Sequence, residues 1–231
     1  ILPLDKNDIV LIGEMARTMR YQGAGSSHIN PTKLTSLCDA LPGVPFIAGC
    51  DDKGAVTEDS LREAADAAKN AKIAVVCVGL PDIYESEGFD RETMAMPEGH
   101  ARLIETVAAA NPNTVVVLFC GSAVETPWLD KVKAVLYMGL PGQAGGAAAA
   151  NLLTGKVNPS GKLTETWPLA YADVPSRETF GKKTTHYKEG LYVGYRYYDK
   201  AGKAVRFPFG YGLSYTQFAY SDLKIEGRTV T

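Results

Sequence analysis

Histidine, tryptophan and cysteine are scarce in this chain, with three, two and four copies among 231 residues. The cysteines, Cys38, Cys50, Cys77 and Cys120, form no C-x-x-C pair, and only His28, His100 and His186 could join them. That spacing fits no zinc site, so no metal is expected. Cys77 and Cys120 lie inside apolar runs. Free, buried thiols are the simplest reading, and they suit a reducing compartment, the cytoplasm. An excess of one charge is also missing. Lysine and arginine (24) nearly match aspartate and glutamate (26), giving a net charge of −2 and a pI near 6.0. The basic residues are scattered, so there is no footprint for nucleic acid. No apolar run reaches the roughly 18 residues that a membrane span needs. Neither nucleic acid nor membrane is an expected partner. An initiator methionine and a leader are absent as well; a chain running from Ile1 to Thr231 reads as a piece of a longer one. There is no internal repeat and no low-complexity segment.

What remains is an ordinary globular balance, 45% hydrophobic and 22% charged. Strand-like and helix-like runs alternate. "DIVLIG", "VPFIAG", "KIAVVCVGL", "PNTVVVLFCG" and "KAVLYMGL" read as strands. "TEDSLREAADAAKNA" reads as a helix N-capped by Thr57, with Glu58 and Asp59 at its positive end. "PEGHARLIETVAAAN" reads as a helix with Leu103, Ile104 and Val107 on one face, and "GQAGGAAAANLLTG" as a small-residue helix. The strands are apolar on both faces, as in a parallel sheet covered on both sides. The expected fold class is therefore α/β, a layered helix–sheet–helix arrangement around a mostly parallel sheet. After "NPSGKLTETWP" the texture changes. Residues 168–212 are rich in glycine, proline, tyrosine and phenylalanine, and "YKEGLYVGYRYYD" and "RFPFGYGLSYTQF" read as aromatic loops or edge strands. "FAYSDLKIEG" alternates like the first strand of a β domain.

Ligands of open α/β sheets gather at the carboxyl ends of strands. "YESEGFDR", Tyr84 to Arg91, lies at such an end, just after "KIAVVCVGL". A solvated loop is the plain reading. The sharper one is that Glu85, Glu87 and Asp90 face a crevice, where two acids can act as general acid and base. One of them then needs a raised pKa, from burial or a like-charged neighbour. An Asp90–Arg91 ion pair would pin the loop. "YQGAGSSHINP", Tyr21 to Pro31, is a second glycine-rich loop. His28 stands where a dinucleotide loop would carry its third glycine, so no nucleotide or other cofactor is expected. Ser26 and Ser27 either cap a helix starting near Pro31 or hydrogen-bond a polar ligand. His100 shares a helical face with Leu103 and reads as a core histidine. Ser122, in "GSAVETPW", lacks the G-x-S-x-G elbow of a nucleophile. Trp128 and Trp167 read as packing residues, and the glycines of "LPGQAGGAAAANLLTG" as close helix–sheet contacts.

Six pieces in this order, "YQGAGSSHINP", "YESEGFDR…MPEGHARLIETV", "NPNTVVVLFCGSAVETPW", "AVLYMGLPGQAGGAAAANLLTGKVNPSGKLTETWP", "YKEGLYVGYRYYD" and "FPFGYGLSYTQF", resemble the second domain of glycoside hydrolase family 3 β-glucosidases. The resemblance spans nearly the whole chain. It implies an (α/β)6 sandwich over residues 1–213 and, in 214–231, the start of a fibronectin-III-like domain. It also implies a preceding (β/α)-barrel domain, absent from these residues, that carries an aspartate nucleophile. The expected chemistry is retaining hydrolysis of terminal β-D-glucosides or short oligosaccharides. The acid/base glutamate falls on Glu87, with Glu85 as its rival. Glu85, Asp90, Arg91, Ser26 and Ser27 are the candidate substrate-binding residues. This chain alone should not turn over substrate. Some relatives carry a sugar-stacking tryptophan where this chain has Ser26, which predicts a taste for short or aryl glucosides. Two rival readings remain: a non-catalytic carbohydrate-binding or interface module of the same fold, and a nucleotide-binding α/β domain.

Overall fold

Strands that are apolar on both faces need cover on both sides, and the chain provides it. The computed structural model describes residues 1–230. Its main sheet is built from β1 (Ile9–Ile12), β2 (Phe46–Ile47), β3 (Ile73–Gly79), β4 (Thr114–Phe119) and β5 (Ala134–Tyr137), in the order β2-β1-β3-β4-β5. Every neighbouring pair is parallel. Alternate residues of the central strands enter opposite cores. Val10, Ile12, Val76, Val78, Val116 and Leu118 meet helices α2 (Glu58–Asn70) and α3 (Glu98–Ala110) through Leu61, Ala64, Leu103 and Val107. Leu11, Val75, Cys77, Val115, Val117 and Phe119 meet helices α1 (Leu37–Ala40) and α4 (Gly145–Leu153) through Leu37, Ala149 and Leu153. The layered α/β architecture expected from the pattern is the one observed.

Local rules explain the ends of the elements. Thr57 caps α2 by accepting a hydrogen bond from Ser60 N, and the Ser60 hydroxyl oxygen in turn accepts one from the Thr57 amide. Ser36 and Asp39 make the same reciprocal pair at α1. The start of α4 is small because it must be: a Cβ on Gly146 would collide with the backbone of Thr35 and Ser36. His100 is buried, and its Nδ1 donates to the Gly79 carbonyl at 2.9 Å, so it holds α3 to the end of β3. Burial pushes its pKa down. It is the core histidine that the pattern implies. Trp128 and Trp167 are buried packing residues as well.

Four expectations change. No helix begins near Pro31. The chain stays irregular to Ser36, so Ser26 and Ser27 cap nothing there and instead form a single 3-10 turn, Gly25–Ser27. "VPFIAG" yields only the two residues of β2. The "GYRYYD" stretch, read as loop or edge strand, is helix α5 (Tyr195–Ala201), closed by Gly202 in the left-handed conformation. The proline and glycine around it masked its short helical run. Before it, β6 (Trp167–Pro168) leaves the main sheet, and β7 (Val205–Phe207) returns to pair with it antiparallel. In "FAYSDLKIEG" only β8 (Ile225–Glu226) is strand, in a hairpin with β9 (Thr229–Val230).

Candidate functional site

The strand order has a switch point. From β1 the chain crosses outward to β2, then returns to place β3 on the other side of β1. Crevices at the carboxyl ends of parallel strands open where the order reverses. Here that is between β1 and β3, and the glycine-rich loop follows β1 while the acidic loop follows β3. Gly13 lets the chain leave β1 so close to β3 that a Cβ would strike the Cys77 carbonyl. The Gln22 side chain then closes the glycine-rich loop: Oε1 accepts from Ile29 N at 3.0 Å, and Nε2 donates to Ile29 O at 3.2 Å. The loops meet at Gly25, where φ is +82° and a Cβ would stand 2.8 Å from the Glu87 Cβ.

Glu85 and Glu87 face opposite ways. The Glu85 carboxylate turns inward over the end of β4. It accepts from the Gly121 amide at 2.8 Å and from the Ser122 hydroxyl, and Arg20 Nη1 lies 3.6 Å away. Its side chain is 19% exposed. The Glu87 carboxylate is exposed and turns toward the glycine-rich loop. Its Oε2 accepts from the Ser26 amide at 2.7 Å and from the Ser26 hydroxyl. Those two bonds favour the charged form and hold its pKa below the usual carboxylate range. The raised pKa expected of a general acid is not found at Glu87 in this chain, because nothing buries it and no second carboxylate faces it.

Arg91 does pin the loop, but Asp90 is not its partner. Its Nη1 donates to the Ser122 hydroxyl at 2.8 Å and to the Ala123 carbonyl at 3.1 Å. Among the described residues no Asp90–Arg91 ion pair forms. Both residues border a cleft of about 360 Å³ that Glu85, Phe89, Tyr171 and Arg177 also line. Ser27 closes its own turn, with its hydroxyl 3.3 Å from the Ala24 carbonyl. The structure thus brings Ser26 and Glu87 together on an outer rim, and Glu85, Arg91 and Ser122 on an inner one. Ser122 is an anchor, a role its missing elbow did not suggest. Arg20 went unnoticed in the sequence, since nothing in "TMRYQG" says that the arginine is buried. Among the described residues no three histidine, cysteine, aspartate or glutamate side chains are grouped to hold a metal.

Comparison with known proteins agrees with this architecture. Residues 1–215 match the model of the glycosyl hydrolase family 3 C-terminal domain. The chain is 48% identical to thermostable β-glucosidase B of Acetivibrio thermocellus, covering all of this chain and 32% of that protein. It is 47% identical to an exo-α-(1→6)-L-arabinopyranosidase of Bifidobacterium longum, over 94% of this chain and 30% of that protein. A crystal structure of the Bifidobacterium adolescentis family 3 β-glucosidase superposes with a TM-score of 0.91 at 46% identity, over 96% of this chain and 34% of that one. The chain therefore spans about a third of the length of these relatives.

Proposed function

The chain belongs to glycoside hydrolase family 3, as its C-terminal domain, and from that premise we propose that it lends the acid/base glutamate, Glu87, to a retaining β-glucosidase. One observation carries the assignment to Glu87. At the switch-point crevice its carboxylate is exposed on the outer rim, while the rival Glu85 is consumed by the Gly121 amide, the Ser122 hydroxyl and Arg20. A group that must exchange protons with substrate and water needs free access; Glu85 has both oxygens hydrogen-bonded and a side chain 19% exposed, whereas the exposed Glu87 takes both its bonds on Oε2.

The nucleophile aspartate belongs to the preceding barrel domain, and this chain alone is inactive. In a retaining pair the two carboxyls stand about 5–5.5 Å apart. Docking the barrel brings a second carboxylate toward Glu87 and buries both, and each change raises the Glu87 pKa enough for it to hold a proton. Glu87 then protonates the leaving oxygen as the aspartate forms the glycosyl-enzyme. That bond removes the aspartate's charge, the Glu87 pKa falls, and the carboxylate takes a proton from the attacking water. Ser26 and Ser27, with Asp90 and Arg91 at the neighbouring cleft, contact the sugar or its leaving group; Glu85 supports the loop and borders the pocket. With Ser26 in place of a stacking side chain, short and aryl glucosides are preferred over long oligosaccharides.

The preceding domain needs a surface to dock on. Large apolar side chains lie exposed between residues 187 and 213, among them Tyr187, Leu191, Tyr192, Val193 and Leu213. Exposed apolar area of this kind marks a contact surface. We assign residues 1–213 to the sandwich and 214–231 to the start of a fibronectin-III-like domain; the family match ending at residue 215 supports that boundary. Four unpaired thiols, three of them buried, support a reducing compartment, the cytoplasm.

The test uses the full-length protein. Aryl β-D-glucoside turnover is measured for wild type, Glu87→Ala and Glu85→Ala, with and without azide. An activated leaving group needs little protonation, so losing the acid/base slows mainly deglycosylation, and azide can replace water there without a base. Azide should rescue Glu87→Ala, giving a glycosyl azide of retained configuration. Rescue of Glu85→Ala alone moves the role to Glu85, and rescue of neither favours the non-catalytic module. The 47% identity to an arabinopyranosidase supports a second reading of the sugar. An aryl α-L-arabinopyranoside cleaved faster than the glucoside by wild type would establish it.

A further inference from the structure

Arg20 lies outside both loop motifs, yet it touches both loops. Its side chain is only 4% exposed. Nη1 donates to the Leu80 carbonyl at 2.7 Å, Nη2 to the Glu85 carbonyl at 2.6 Å, and Nε to the Gln22 carbonyl at 3.1 Å. Asp82 Oδ1 lies 3.0 Å from Nε, and Glu85 Oε2 lies 3.6 Å from Nη1. Asp82 also reaches the far end of the glycine-rich loop, with Oδ2 3.5 Å from His28 Nε2. A buried guanidinium is tolerated only when its charge and donors are met, and here every contact falls on one of the two loops or on the strand end between them. The fork of donors in one plane lets a single side chain fix three carbonyls; a lysine ammonium has no such fork.

We propose that Arg20 is a positioning residue for the acid/base glutamate: it locks the glycine-rich loop against the acidic loop and so sets where the Glu87 carboxylate stands. This rests on the reading of Glu87 given above. The path is short. The Glu85 carbonyl that Arg20 holds is two residues from Glu87, and the Gln22 carbonyl is four residues from Ser26. Glu87 in turn takes its contacts from the glycine-rich loop, through Ser26 and through a 3.4 Å bond from its amide to the Ala24 carbonyl. The fit at Gly25 leaves no room for even a methyl group. Any slip between the loops therefore moves Glu87 away from the glycosidic oxygen it must protonate, and proton transfer tolerates little misplacement.

In the full-length protein, Arg20→Lys and Arg20→Met are made alone and combined with Glu87→Ala. Each is assayed on a dinitrophenyl β-glucoside, which needs no proton to leave, and on an alkyl β-glucoside, which does. With Arg20→Lys, kcat/KM should fall about 10–100-fold for the alkyl glucoside and less than about 3-fold for the dinitrophenyl one, the mark of a displaced general acid. Arg20→Met should repeat the pattern with a larger loss. Combined with Glu87→Ala, neither should lower the rate further. Equal losses on both substrates, losses that add to those of Glu87→Ala, or no loss in either variant would overturn the proposal. If Arg20→Met does not fold, Arg20→Lys, which keeps the charge, carries the test; failure of that variant to fold makes Arg20 a folding residue and also overturns it. Glu87→Ala alone reports on the underlying reading. Without azide rescue there, the role of Glu87 falls; with rescue there and leaving-group-independent losses at residue 20, only the role of Arg20 falls.

Discussion

The acidic loop has an inner and an outer rim, and two glutamates two residues apart show how different these are. On the inner rim Glu85 is enclosed by the Gly121 amide, the Ser122 hydroxyl and Arg20. On the outer rim the Glu87 carboxylate takes its hydrogen bonds from Ser26 and is exposed to solvent. The same side chain serves two ends. Where both of its oxygens are held by the protein it ties loops together; where only one is held and the group is exposed, it is free to act on something else. Substituting each glutamate tests the contrast most sharply. Glu87→Ala should lower kcat/KM on poor leaving groups by about 10²–10⁴-fold, while a denaturation midpoint shows stability changed by no more than about 0.5 kcal/mol. Glu85→Ala should do the reverse. It strands the Gly121 amide and the Ser122 hydroxyl and takes one carboxylate from Arg20, costing about 1–3 kcal/mol of stability, and azide should restore nothing. A stability loss at Glu87 larger than at Glu85 would break the comparison.

The seam between the rims can be probed by one methyl group. Gly25 and Gly43 both have positive φ, +82° and +84°. A side chain at either is strained, at a cost of about 1–2 kcal/mol. Only at Gly25 does the new Cβ also meet Glu87, at 2.8 Å; around Gly43 there is open space. Gly25→Ala and Gly43→Ala should therefore lose similar stability, but only Gly25→Ala should lose activity, by about 10-fold or more from a displaced Glu87. Equal activity in the two variants would mean that the loops slide freely past each other.

The sheet was legible in the sequence because strands covered on both faces are apolar without alternation, and "KIAVVCVGL" and "PNTVVVLFCG" are so along their whole length. The caps at Thr57 and the core face of α3 were legible for the same reason: they follow local rules. The site was legible only in part. Charges at the end of β3 marked the acidic loop, and glycines marked its neighbour. Their contact is a long-range event, 61 residues apart for Ser26 and Glu87, and nothing local records it. The burial of Arg20 and the anchoring by Ser122 stayed hidden for that reason. Arg91 was expected to pair with the adjacent Asp90, but its guanidinium is drawn 31 residues away to Ser122. Composition failed in residues 168–212, where glycine and proline hid the helix α5.

The smallest effect concerns the Ser26 hydroxyl, one of the donors that join Glu87 to the glycine-rich loop. The Ser26 hydroxyl and amide both donate to the Glu87 carboxylate, and both stabilise its charged form, with the hydroxyl the stronger influence. In the proposed role of general acid Glu87 must carry its proton, so the alkaline limb of the kcat/KM profile would mark the pH at which that proton is lost. Ser26→Ala removes one donor and leaves the amide. The charged form becomes less favourable, the proton is kept to higher pH, and the alkaline limb should move upward. Loss of a sugar contact at residue 26 would raise KM but would not move the limb, so the two effects separate in one set of profiles. A limb that moves to lower pH would mean that the hydroxyl favours the protonated acid in the assembled enzyme. The outer rim would then be rebuilt when the barrel domain docks, whereas the inner rim, already filled by the chain's own donors, would stay as it is.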